Sequence, residues 1–325
     1  MIPIRDTQPS NCVPVVTYFL IGMNLLVFIL QIQTGFDSKT FFYSYGLVPA
    51  KYTVHEVSKY FSTGNQLFSI FSYMFLHGGF LHFIGNMWTL YIFGDNIEEH
   101  FGSLRFLGFY LICGIISGLA HFFSNPVSMV PTIGASGAIA GVMGAYFLLY
   151  PKSRILTVIP IIIIPFFVEI PAFIFLGVWF LIQFLNAAGE TAGSGIAWWA
   201  HIGGFIAGLV LVKLNKKLPE TGTKQKISQF TAKKSTPKLQ MIVASGKADS
   251  SDLYGNIDIT SIEAIAGTNK MVTIPWGFYK PLYKVKIPAG IKHGTRLRLS
   301  GMGKSLPDGR KGDMYLTVNV KNTIL

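Results

Sequence analysis

Gly134-Ala135-Ser136-Gly137-Ala138-Ile139-Ala140-Gly141 opens an apolar stretch that runs to Tyr150 without a charge, and Trp199-Ala200-His201-Ile202-Gly203-Gly204 lies inside another. Both stretches have the hydropathy of membrane helices, yet one carries a serine and the other a histidine. Polar groups at that depth are costly unless they pair or act, so Ser136 and His201 are the first candidates for a functional site. A serine beside a histidine is the minimal kit for nucleophilic acyl transfer.

Composition agrees with a membrane setting. Half of the 325 residues are hydrophobic and 13% are charged, against about 25% in a soluble domain. The mean hydropathy is +0.46. The net charge of +12 is unevenly spread: residues 1–212 hold seven Lys/Arg against eight acids, 213–247 hold nine lysines against Glu220, and 248–325 hold eleven Lys/Arg against six acids. A lysine stripe after a last membrane helix reports topology and contact with anionic lipid. No nucleic-acid module or aromatic-interleaved basic motif is visible, so nucleic acid is not an expected partner. Cys12 and Cys113 are the two cysteines, which leaves no disulfide framework and no Cys-based zinc site. Cys113 reads as a small packing residue.

Six apolar segments follow one another at about 13–31, 68–93, 106–123, 136–150, 155–185 and 197–214. The first lacks a small-x-small cleavage site and reads as a retained helix. The fifth carries Pro160, Pro165 and Pro171; its Ile161–Ile164 portion reads as an extended lead-in, with the helix starting near Pro171. The fourth is too short to cross: from Ser136 a helix rises about 22 Å, whereas the hydrocarbon core is about 30 Å thick. Its first turn should start below one surface. The stretch before it, Ser124 to Ala135, is uncharged and rich in Pro, Ser and Gly. Such backbone survives at membrane depth only when buried in protein or lining a water cavity, which puts Ser136 on a cavity floor. Arg5, Arg105, Lys152, Arg154 and the lysine stripe fall on one side if both termini are cytoplasmic, and the Lys/Arg bias favours that orientation. Ser136 then opens outward.

A helix N-terminus leaves backbone N–H groups free at the positive end of the dipole, which suits an oxyanion. Small residues recur at every fourth position in segment four (Ser136, Ala140, Gly144; Gly137, Gly141, Ala145) and in segment six (Ala200, Gly204, Gly208). These stripes let two helices approach closely, bringing His201 within hydrogen-bond reach of Ser136. Segment two holds His77-x4-His82-x3-Asn86, with His82 and Asn86 one turn apart on one face. Side-chain donors of this kind contribute about 3–4 kcal/mol each to an oxyanion. The same spacing could ligate a metal, but no convergent carboxylate accompanies it. Glu169 precedes Pro171 near the cytoplasmic end and is assigned a helix-entry role. Asp95, Glu98 and Glu99 are expected in a solvated loop, and His55, His100, His121 and His293 show no partner pattern.

In combination, His77-x4-His82-x3-Asn86, Phe101-Gly102-x-x-Arg105, Gly134-Ala135-Ser136-Gly137-Ala138-Ile139-x-Gly141 and Ala200-His201-x-x-Gly204-x-x-x-Gly208 resemble the rhomboid family of intramembrane serine proteases over about residues 13–214. The resemblance implies an α-helical membrane protein, a six-transmembrane-helix bundle with a Ser136–His201 dyad and no catalytic acid. It implies an oxyanion site at His82, Asn86 and the backbone around Gly134 and Ser136, with support from His77, Gly137, Gly204 and Gly208. Substrates would be transmembrane segments of membrane proteins cut near the outer face, with no metal or other cofactor. The expected location is a multi-pass protein of a bacterial inner (plasma) membrane. No Trp-Arg pair stands in the first loop, which some members carry. Two other classes fit the sequence less well. A membrane chaperone or adaptor would not need Ser136, His201, His82 and Asn86 together. A transporter would show inverted repeats or a chain of carboxylates.

Residues 215–250 are rich in Lys, Thr and Ser and read as a basic linker. From 251 the pattern becomes short alternating runs: Leu282–Ile287, Arg296–Leu299 and Met314–Val320. Period-two alternation marks half-buried strands of a small all-β cytoplasmic domain. Ser261–Thr268, Val285–Gly290, Gly294–Gly303 and Gly312–Leu316 resemble the C-terminal peptide-binding domain of J-proteins (DnaJ) over residues 252–321. The His-Pro-Asp tripeptide and Cys-x-x-Cys zinc module are missing. The resemblance implies either a folded anchor or a clamp for unfolded cytosolic peptide segments.

Overall fold

The computed structural model describes residues 1–10, 12–34, 39–161, 164–189, 196–215, 239–246, 250–274, 282–304, 309 and 311–321. The basic linker expected at 215–250 lies largely outside them, as do Ile162 and Ile163 of the expected extended lead-in. The chain divides into two compact units, Met1–Asp6 with Ser10–Ala232, and Thr7–Pro9 with Lys233–Leu325.

In the first unit, strand β1 (Ile2–Asp6) precedes helix α1 (Val15–Gln33). Four short helices follow, α2 (Lys39–Tyr45), α3 (Ala50–Thr53), α4 (His55–Ser58) and α5 (Thr63–Ser72), and a 3-10 turn at Tyr73–Phe75. Then come α6 (Phe80–Phe101), α7 (Ser103–Ser124), α8 (Ser136–Leu149), strands β2 (Arg154–Ile161) and β3 (Ile164–Pro171), α9 (Ala172–Ala188) and α10 (Trp198–Asn215). α1, α7 and α10 are long and apolar enough to cross a membrane, and Thr63–Phe75 with Phe80–Phe101, bent by 76°, makes a fourth candidate if read as one broken span. α8 and α9 are apolar but shorter, at 14 and 17 residues. Length and composition therefore support three or four spans and do not by themselves establish six.

α8 is buried on all sides from Gly137 to Tyr146. A helix apolar around its whole circumference belongs at the centre of a bundle. The outer helices reverse the soluble pattern: Tyr18, Phe19, Leu26 and Ile29 of α1 and Phe173, Leu181, Phe184 and Leu185 of α9 are exposed, while Thr17, Asn24, Gln31, Asn86, Ser117 and Gln183 are buried.

Segment five divides where its composition changes. Ile, Val and Thr are stiff at χ1 and favour strands, and prolines bar a helix. β2 and β3 pair antiparallel with Pro160 opposite Pro165, and β1 adds to the far edge of β2 as far as Val158. Pro160 thus lies beyond the reach of β1, where its missing N–H costs no pairing. The helix begins at Ala172, just past Pro171. Trp88 Nε1 donates to the Pro3 carbonyl at 2.6 Å and joins α6 to β1.

The expected solvated loop around 95–99 is instead helical, because α6 runs on to Phe101. Glu98 is 3% exposed. Its carboxylate accepts from Val16 N at 3.0 Å, Thr17 N at 2.8 Å, Thr17 Oγ1 at 2.9 Å and Ser103 Oγ at 2.7 Å. Pro14 offers α1 no side-chain cap, so a carboxylate from another helix satisfies the orphan donors and opposes the dipole.

The second unit contains two three-stranded sheets. One has the order β4-β6-β7, from β4 (Leu239–Met241), β6 (Thr268–Thr273) and β7 (Leu282–Ile287); the other has the order β5-β9-β8, from β5 (Leu253–Thr260), β9 (Met314–Lys321) and β8 (Arg296–Leu299). β4–β6 and β5–β9 pair in parallel. Ile257, Val272, Val285, Leu316 and Val318 belong to one core shared by both sheets. The unit is not all-β: helix α11 (Ser261–Ala266) follows β5. Thr260 and Glu263 form a capping box there, a local signal that competes with the strand pattern. Glu263 also pairs with the buried Lys270 at 2.6 Å. Burial raises the Glu263 carboxyl pKa, but its bonds to Lys270 and Thr260 outweigh that and hold it below the usual range.

Candidate active site

α8 begins at Ser136, as its sequence anticipates. The irregular stretch before it is held by paired backbone. Leu47 and Thr132 exchange hydrogen bonds at 3.0 and 2.8 Å, Ala50 N donates to the Ser128 carbonyl, and Gly134 N donates to the Tyr73 carbonyl at 2.9 Å. The first loop thereby satisfies the backbone that precedes the serine, as non-helical chain at membrane depth requires. Gly134 has φ +124°, a conformation that suits glycine. A Cβ there would stand 2.9 Å from His82 Nε2 and 3.6 Å from Ser136 Oγ. Gly134 thus leaves the gap between those two side chains open. The Gly134 N–H is turned to the Tyr73 carbonyl, away from this gap. The contribution of Gly134 is its shape.

α10 packs against α8 at backbone distance. A Cβ on Gly204 would overlap the Gly137 carbonyl, and one on Gly208 the Gly141 carbonyl. A Cβ on Gly137 would in turn overlap Ser117 of α7, and one on Gly141 would overlap Cys113. This proximity brings His201 to the serine: Nε2 lies 2.8 Å from Ser136 Oγ. The other ring nitrogen, Nδ1, lies 2.8 Å from Gln183 Oε1 on α9. Trp179 tilts over the imidazole with centroids 5.8 Å apart, and Trp198 meets it edge-on at 6.2 Å.

His82 and Asn86 face the same space from α6. A cavity of about 680 Å³ is lined by His82, Asn86, Ser136, Trp179, Gln183 and His201, among others, and reaches Met1 and, in β1, Pro3. His82 Nδ1 accepts from Gly78 N at 3.2 Å. In the neutral ring that leaves the proton on Nε2, the atom next to Gly134 and Ser136. Asn86 is 7% exposed, and its Nδ2 has no hydrogen-bond partner among the described residues. His77 lies one layer behind. It is buried, its ring meets His82 edge-on at 5.2 Å, and Gln31 brackets its backbone N–H and carbonyl. Among the described residues, no three His, Cys, Asp or Glu side chains converge as a metal site.

Gln183, Trp179 and Trp198 were not identified from the sequence. The available signal was Gln183 itself, one of two polar residues, with Asn186, in an apolar 17-residue helix; a polar side chain at membrane depth marks a candidate functional position as a serine or histidine does. Glu169 lies in β3 opposite Leu156 and interacts electrostatically with Arg5.

Comparison with known proteins divides the chain in the same way. Residues 64–216 match the Rhomboid domain and residues 253–324 the DnaJ C terminal domain. The chain therefore carries a rhomboid domain followed by a DnaJ C-terminal domain. It is 31% identical over 165 residues to RHOMBOID-like protein 6, mitochondrial, of Arabidopsis thaliana, covering 49% of this chain and 47% of that protein. It is 29% identical over 213 residues to the rhomboid protease GluP of Bacillus subtilis, covering 64% and 37%. A DnaJ-like protein of Synechocystis is 32% identical over 74 residues, 23% of this chain and 21% of its own length. The chain spans about half or less of the length of these curated relatives. The rhomboid domain together with the apolar helices makes this an integral, multi-pass membrane protein.

Proposed function

We propose that this protein is an intramembrane serine endopeptidase that cuts transmembrane segments of membrane proteins by a Ser136–His201 dyad. The observation that carries the reading is the 2.8 Å approach of His201 Nε2 to Ser136 Oγ inside a cavity lined by further donors. In this mechanism Ser136 Oγ attacks the scissile carbonyl as its proton passes to His201 Nε2. The oxyanion is received by the Ser136 N–H at the start of α8, by His82 Nε2–H and by the Asn86 amide. His201 then protonates the leaving amine, and water hydrolyses the acyl-enzyme by the reverse proton path.

The bundle is proposed to have six membrane segments: α1, the bent α5–α6 pair, α7, α8, α9 and α10. α8 need not reach both faces, because it is sheathed by its neighbours. Both termini are assigned to the cytoplasm of a bacterium, with the protein in its inner membrane. Pairing of β1 with β2 supports that side, since it gathers Arg5, Lys152 and Arg154 at one end of the unit. The C-terminal domain is read as a cytosolic peptide-binding module, and the lysine stripe as a contact for anionic lipid.

A fluorophosphonate probe tests the reaction directly. The full-length protein should be labelled, and Ser136→Ala and His201→Ala should each abolish labelling and cleavage of a single-span substrate while remaining folded. Undiminished cleavage by Ser136→Ala overturns the assignment.

A further inference from the structure

We propose that Gln183 is the positioning residue for His201, the third member of a Ser136–His201–Gln183 relay in which a neutral amide stands where a carboxylate is more usual. The inference rests on the protease reading above and adds a residue to it.

The geometry fixes which way each group points. Gln183 is 5% exposed. Its Nε2 donates to the Trp179 carbonyl at 3.1 Å, one turn back on α9, and its Oε1 meets His201 Nδ1 at 2.8 Å. A flipped amide would set oxygen against the Trp179 carbonyl, so the Trp179 bond keeps Oε1 toward the ring. An amide oxygen only accepts. Nδ1 must therefore carry the proton, and the lone pair lies on Nε2, 2.8 Å from Ser136 Oγ. That tautomer is the one able to take the hydroxyl proton. Trp179, which orients the amide, also covers the imidazole face at 5.8 Å. One helix turn thus sets both the plane and the protonation of the base.

The choice of amide also fits the surroundings. A carboxylate buried here would carry a large desolvation cost in hydrocarbon; a glutamine does not. When His201 becomes an imidazolium, its Nδ1–H bond to Oε1 becomes charge-assisted and stronger. The contact therefore favours the transition state over the resting state, and its loss should appear in kcat. Among the described residues, the titratable groups that act electrostatically on His201 are His82 of α6 and His121 of α7; neither is an acid.

The test uses the full-length protein, a quenched fluorescent single-span peptide and a fluorophosphonate probe. Gln183→Leu should lower kcat and the labelling rate by about 10- to 100-fold, with KM within twofold and the thermal midpoint retained. Gln183→Glu keeps an acceptor at Nδ1 and should recover most of the labelling rate. Its added charge favours the imidazolium, so the acid limb of its pH–kcat profile should move up by about one pH unit. Wild-type kcat in Gln183→Leu, or a loss confined to KM, overturns the proposal. If Gln183→Leu does not fold, Gln183→Glu decides: a displaced acid limb supports the relay and an unmoved one overturns it. A wild type that neither cleaves nor labels removes the protease reading itself. A wild type that cleaves beside an equally active Gln183→Leu removes only the role of Gln183.

Discussion

Asn86 holds a buried amide nitrogen with no hydrogen-bond partner among the described residues, one helix turn from an imidazole whose Nδ1 accepts from Gly78 N and whose Nε2 stands beside Gly134. An unpaired buried donor is costly, and it suits a site where charge appears only during reaction. Asn86→Ala and His82→Ala should therefore each lower kcat by about 10²- to 10³-fold while KM changes little. Steady-state kinetics with the single-span peptide separate the two parameters. A rise in KM with kcat intact would make that residue a substrate contact instead. The motif spacing marked His82, Asn86, Ser136 and His201 as candidates, and all four line one cavity. Gln183 was not marked, because its partner is 18 residues away on another helix and no local spacing links them.

Between elements, the decisive contact is that of α8 with α10. The small-residue stripes foretold it, and the structure shows how little room is left: at Gly204 any side chain meets the Gly137 carbonyl. Gly204→Ala should push α10 away one turn below His201. Even a 1 Å displacement of a reacting group can cost about 10²-fold in rate. A comparable fall in fluorophosphonate labelling is expected, with a lower thermal midpoint. Gly22→Ala on α1 is the control, since a Cβ there touches nothing within 4 Å. Normal labelling in Gly204→Ala would mean that the helices can separate without losing the dyad. Other element contacts were not legible. Glu98 read as a solvated acid because its partners, the first N–H groups of α1, lie more than 80 residues away. The hairpin of segment five was half visible in its prolines, but its third strand comes from the N-terminus.

For the molecule as a whole, a membrane unit and a sheet unit are carried on one chain, and each has its own core. Under the proposed topology the C-terminal unit, read as a peptide-binding module, would act on the cytosolic part of a substrate. Holding the cytosolic end of a substrate would raise its effective concentration at the membrane unit. Truncation after Lys217 should leave cleavage of a bare transmembrane peptide unchanged. It should slow cleavage of a substrate with a cytosolic extension, by about tenfold at substrate levels below KM. Equal rates for both substrates in both proteins would remove the recruitment role.

By itself, the sequence determined what is periodic or local. Hydropathy marked the apolar segments, alternation marked β7, β8 and β9, and small-residue spacing marked the α8–α10 contact. A shortened helix after an uncharged loop marked where Ser136 would lie. Beyond the Ser136–His201 pair, tertiary structure decided which polar groups meet across elements. It gave His201 a glutamine at Nδ1, bonded the Gly134 N–H to Tyr73, and turned Glu98 into the cap of a distant helix. The physical reason is the same in each case. A buried hydrogen bond must find its partner wherever packing brings one, and packing follows three-dimensional proximity, which sequence separation does not record.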